Sequence, residues 1–81
     1  MNNLLTLHEA IFLVLFKDFN NWKSFDEIEA EINKRNLFPN RKGGISLAEQ
    51  IKLRTVIQKR YKKFFDYSLP DKIRINIEIL K

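Results

Sequence analysis

Residues 45 to 65 read ISLAEQIKLRTVIQKRYKKFF and carry six basic side chains, one acidic side chain and a full apolar stripe. Such a stretch is either a packed helix with a wet back or a helix that turns its charge toward a polyanion. Ser46-Leu-Ala-Glu49 opens it with the capping-box spacing, in which hydroxyl and carboxylate satisfy each other's orphan backbone N–H groups. The spacing predicts a helix over about 47–65, about 28 Å long at 1.5 Å per residue. Leu47, Ile51, Leu53, Ile57, Tyr61, Phe64 and Phe65 fall on one wide arc of it. Lys52, Thr55, Lys59, Lys62 and Lys63 fall on the opposite arc, with Arg60 at the margin. Gln50, Arg54 and Gln58 lie inside the apolar arc and need partners rather than solvent. Gln50 and Arg54 are therefore read as structural, directed toward the preceding helix.

Two more helix starts share the signature. Thr6-Leu-His-Glu9 begins a first helix over about 7–19, and Ser24-Phe-Asp-Glu27 begins a second over about 25–36. The first helix is apolar on both sides. Leu7, Ala10, Ile11 and Val14 make one face, and Phe12, Leu15, Phe16 and Phe19 nearly the opposite one. A helix of that kind is central to the core or shared with a second chain. Phe12, Phe16 and Phe19 are thus the candidate dimer interface. In the second helix Phe25, Ile28 and Ile32 face inward, and its exposed side is acidic. Asn20-Asn-Trp-Lys23 between the two is a turn with room for a short strand, and Trp22 is read as a packing residue. Pro39 and Gly43-Gly44 make residues 37 to 45 a loop with Arg41-Lys42 at its tip. The P-loop spacing is absent there.

After the third helix the period changes from helical to alternating. Asp66 to Leu69 suits a strand, Pro70-Asp71 a type I turn, and KIRINIEIL a returning strand. Ile73, Ile75, Ile77 and Ile79 share one side of it, and Lys72, Arg74, Asn76 and Glu78 the other. The hairpin spans about 66–80, and residues 1–81 read as one domain.

Charge is unevenly spread. Residues 1 to 33 set two lysines against six carboxylates, a net −4, while residues 34 to 63 set ten basic groups against Glu49 alone, a net +9. An acidic front and a basic middle suggest one face turned toward a polyanion; the bland alternative is a solubilising surface. The chain has no cysteine, which removes disulfides and thiolate metal sites and fits a cytoplasmic home. No signal-peptide pattern opens it, and its longest apolar run, residues 10 to 16, is far too short to span a bilayer. A membrane partner is not expected. His8 is the single histidine, and no nucleophile–base or metal-ligand constellation accompanies it. No catalytic residue, metal or cofactor is expected, and the acidic cluster Asp26, Glu27, Glu29 and Glu31 reads as a solvated helix face.

The order helix, helix, loop, basic helix, hairpin is that of a winged helix-turn-helix, an α+β fold that is mainly α. The duplex major groove admits such a helix, and Lys and Arg at its rim release counterions from phosphate. At NLFPNRKGGISLAEQIKLRT, YKKFFDY and KIRIN the sequence resembles the HARE-type winged helix, a module found beside restriction endonucleases and in some chromatin-associated proteins. The residues that carry the resemblance are Asn36-Leu37, Arg41-Lys42-Gly43, Gln50-Ile51 with Arg54, Tyr61 with Phe64 and Phe65, and Ile73 with Ile75. It covers roughly residues 5 to 77 and departs from the family pattern at Gly43-Gly44 and in a longer third helix. It implies DNA binding as a module of a regulatory or restriction-related system. A related domain in a bacterial RNA polymerase subunit works through protein contact instead, and fold analogy does not choose between the two. The expected DNA contacts are Arg41, Lys42, Lys52, Thr55, Lys59, Lys63, Lys72 and Arg74, with double-stranded DNA as partner. A homodimer or a larger protein partner is the rival.

Overall fold

The structure is a computed structural model, and it describes residues 4–18, 20–39, 43–58, 62–76 and 78. The chain runs α1 (Leu7–Phe16), β1 (Lys23–Ser24), α2 (Phe25–Lys34), α3 (Leu47–Lys52), a π-helical turn (Leu53–Ile57), β2 (Phe65–Ser68) and β3 (Lys72–Ile75). Both neighbours of β3 in the sheet, β1 and β2, are antiparallel to it. This α+β arrangement is compatible with the winged-helix fold expected above, although the order differs in detail, and β1 occupies the place left for a short strand between the first two helices.

Two helix starts are full capping boxes. Thr6 Oγ1 accepts the Glu9 N–H at 3.3 Å, and Glu9 Oε1 takes the Thr6 N–H at 2.8 Å. Ser24 and Glu27 repeat this at 3.1 and 3.0 Å. The Ser24 N–H, then the Ser24 side chain, hold the Glu27 carboxyl below its usual pKa. That contribution to stability is complete above the ordinary glutamate range and is lost as pH falls through the lower folded value.

α2 ends earlier than its apolar period suggests, at Lys34 rather than 36, because a Schellman motif closes it. Asn36 adopts φ 53°, its N–H reaches the Asn33 carbonyl at 3.2 Å, and the Leu37 N–H reaches Ile32 at 3.0 Å. Leu37 then packs against the core. α1 ends at Phe16, with Lys17 as its cap, and Phe19 lies outside the described residues.

One core joins all the layers. Leu7, Ala10, Ile11, Val14 and Leu15 of α1 meet Phe25, Ile28 and Ile32 of α2, Leu47 and Ile51 of α3, and Phe65, Ile73 and Ile75 of the sheet. The strand alternation holds as far as the described residues reach. Ile73 and Ile75 are buried, Lys72 is exposed and Arg74 is half-exposed. Ile77 and Ile79, and with them the expected end of the hairpin, lie outside the described residues. The Leu69–Pro70 peptide is cis. Tyr67 closes the turn, its hydroxyl donating to the Pro70 carbonyl at 2.8 Å.

The αL geometry of Asn36 gives a test. Asn36→Gly should hold or raise stability, whereas Asn36→Ala should lower it by about 1 kcal/mol, measured by urea unfolding.

Candidate functional site

The expected site centred on the third helix, and here the structure differs most from the sequence reading. Regular α-helix lasts six residues, then widens into the π turn, where the Gln58 N–H closes on the Leu53 carbonyl at 2.9 Å. Gln58 is extended, at ψ 119°, and ends the helix. A helix to residue 65 is therefore wrong. Phe65, placed on that helix, is the first residue of β2 and pairs with Ile75.

The buried ridge is Leu47, Ile51 and Thr55, spaced four apart. Thr55 is only 1% exposed, so its assignment as a DNA contact is overturned. Its hydroxyl donates to the Ile51 carbonyl at 2.8 Å, which satisfies the polar atom within the helix and lets the methyl pack. The opposite ridge is Glu49, Leu53 and Ile57. Leu53 is 39% exposed and Ile57 57%, although the apolar arc placed both in the core. The arc was centred too far toward Leu53 and Ile57. The signal that finds the true centre is the unbroken four-residue spacing from Leu47, with Thr counted as apolar.

Helix α3 is docked by its N-terminus. The Ser46 hydroxyl accepts the Glu49 N–H at 3.1 Å. The second carboxylate comes from α2 rather than from Glu49, as Glu29 Oε2 accepts the Ala48 N–H at 3.1 Å. Glu29 is thus not merely part of a solvated acidic face. Gln50 and Arg54 are half-buried, as expected of structural residues, and they line a groove with Leu7 and Gly43–Ile45. The Gln50 amide donates to the Ile45 carbonyl at 3.4 Å.

The basic residues divide by surroundings. Lys52 lines a groove of about 310 Å³ together with Asp26, Glu49, Asp71, Ser46 and Pro70, so three carboxylates share its space. Lys62 and Lys63 are exposed on the rim of a second groove, about 570 Å³, between Thr55–Val56 and the β2 residues Phe65, Asp66 and Tyr67. The Lys63 ammonium stands 5.4 Å from the Phe64 ring centroid. Arg74 is engaged within the wing. Its Nε meets Asp66 at 3.2 Å and its guanidinium lies 4.3 Å from the Trp22 ring centroid. Trp22 is consequently a surface platform for Arg74 and not a core residue. Lys72 is exposed at the foot of the turn. Arg41, Lys42 and Lys59 lie outside the described residues. The ion pairs among the described residues are Lys23–Asp18 and Arg74–Asp66, which use none of Lys34, Arg35, Lys52, Lys62 and Lys63.

The candidate dimer residues also separate. Phe12 is half-buried, its ring centroid 5.2 Å from that of Phe65 and 6.1 Å from that of Phe64, so it packs on the core and leaves only part of its surface to an outer face. Phe16 is 57% exposed, and with Leu5, His8, Phe12 and Leu13 it lines a shallow groove of about 300 Å³.

Among the described residues, no three His, Cys, Asp or Glu side chains group so that they could hold a metal ion, and no helix is long and apolar enough to cross a membrane. No family model, curated protein or solved structure matches the chain.

The burial of Thr55 separates a structural role from a binding one. Thr55→Val should change unfolding free energy by no more than about 1 kcal/mol. Thr55→Lys should cost about 3 kcal/mol or more, because it forces a charge into the core. Thermal and urea unfolding read both, and a Thr55→Lys variant of unchanged stability would return the residue to the surface.

Proposed function

We propose that the chain is a non-catalytic winged-helix module that grips the phosphate backbone of double-stranded DNA beside its third helix. On the HARE-type resemblance it would serve, in the cytoplasm, as one part of a regulatory or restriction-related system. The observation that carries the reading is the pair Lys62 and Lys63. Both are exposed at the junction of helix 3 and wing, in a segment of net +9, and neither is used by an ion pair among the described residues. Lysines on a groove rim outside any ion pair gain most from phosphate, since each contact releases condensed counterions. Lys72 extends the basic surface along the wing. Lys52 contributes less in this reading, since it faces a groove that Asp26, Glu49 and Asp71 also line. Arg74 contributes through the platform it forms with Trp22, its charge being largely balanced by Asp66.

The expected behaviour is duplex affinity that falls steeply with salt. Lys62→Ala with Lys63→Ala should weaken binding and reduce the slope of log K against log[salt] by about two, one for each phosphate no longer neutralised. Lys52→Ala should change it by less. Fluorescence anisotropy across a salt series measures both, and absence of duplex binding even at low salt rejects the reading.

A second reading is favoured by one observation, the exposure of Phe16 and Leu13 beside the α1 groove. Helix 1 would there pair two copies of the chain. Sedimentation at micromolar concentration should then show a dimer that Phe16→Glu converts to a monomer of unchanged melting temperature. Phe12→Glu should instead unfold the domain, because Phe12 packs on Phe64 and Phe65.

A further inference from the structure

The exposed ridge of the third helix is not basic. It carries Glu49, Leu53 and Ile57 at four-residue spacing, and Ile45, 49% exposed, stands next to Leu53 along a shared groove of about 380 Å³ with Gln50, Arg54 and Gln58. The lysines lie to the side, Lys52 toward the wing turn and Lys62–Lys63 past the helix end. A helix gripping phosphate only through its flanks would present this ridge to the floor of the major groove. Two exposed aliphatic side chains facing base edges are desolvated favourably against one group there, the C5-methyl of thymine. Glu49 adds discrimination of another kind. In that orientation its carboxylate accepts only from an amino group such as cytosine N4, and phosphate repels it.

We propose that Leu53 and Ile57 give the domain a preference for thymine-bearing steps, through apolar contact with the thymine methyl groups. This rests on the reading of helix 3 as the element that meets DNA. The π turn serves it directly, because closing at the fifth residue brings Leu53 and Ile57 nearer to one line along the helix than an α turn would.

The probes are an A·T-rich duplex and the same duplex with every thymine replaced by uracil, which removes the methyl and leaves Watson–Crick pairing and charge intact. The expected result is about fourfold weaker binding to the uracil duplex for each methyl group that the ridge touches, the equivalent of one buried apolar carbon. In the Leu53→Ala, Ile57→Ala double variant the two duplexes should bind alike. Both side chains are exposed, so the variant should melt as the parent does, which circular dichroism verifies. Equal binding of the two duplexes by the parent overturns the proposal while leaving DNA binding in place. Discrimination that survives in the double variant overturns it as well, by assigning the effect to uracil-altered duplex shape. Absence of binding to either duplex at low salt removes the DNA reading itself.

Discussion

Helix 3 depends on a carboxylate of its neighbour. Six α-helical residues and one π turn are too few to hold a helix in water, and the first turn carries backbone N–H groups with no partner inside the helix. Ser46 answers one of these groups and Glu29 another. The Glu29 contact differs in kind, because it ties the end of one helix to the side of the next. It also places a negative charge at the positive end of the helix dipole. With that end fixed, Leu47 and Ile51 settle into the same core as Ile28 and Ile32. The acidity of α2, which looks like a feature kept away from phosphate, is in part the clamp that positions the basic helix.

The widening at Leu53–Ile57 lies between that anchored start and the strand β2. The helix is held at its start, and the chain must leave it in time for Phe65 to begin β2 opposite Ile75. Thr55 makes the early exit tolerable, since its hydroxyl returns to the Ile51 carbonyl and its methyl fills a core position without leaving a buried polar atom unpaired. What the helix conceals on that side it exposes on the other. Leu53 and Ile57 stand outside for the same geometric reason that Thr55 stands inside.

The architecture was legible in the sequence because its punctuation is strong. Three hydroxyl–carboxylate pairs mark three helix starts, and the alternation from Lys72 to Ile75 marks a strand with one wet face. The faces of helix 3 were not legible by the same means. Seven apolar residues suggested a broad arc, and nothing in their spacing reveals that the helix stops at Ile57 to begin a strand eight residues later. Threonine was misread because its polarity was counted without its option of bonding its own helix. Trp22, read as a packing residue, does pack, but at the surface: the Arg74 guanidinium lies over its ring, a pairing that neither residue type announces in the sequence.

These corrections redistribute charge in a way that total composition hides. Arg74 is ion-paired with Asp66, and Lys52 lines a groove that three carboxylates also line. Lys62 and Lys63 are in no ion pair among the described residues and follow Gln58, where helix 3 ends. In the DNA reading, attraction and discrimination then belong to different parts of the surface. Lysines at the helix–wing junction supply a long-range, salt-sensitive hold, while the ridge of Glu49, Leu53 and Ile57 has no long-range pull and acts only at contact. A helix whose exposed ridge were itself lysine would bind more tightly and read less, because a phosphate satisfies an ammonium wherever it meets one. In the DNA reading the apolar ridge gives up that affinity and in return responds to the thymine methyl groups it would cover.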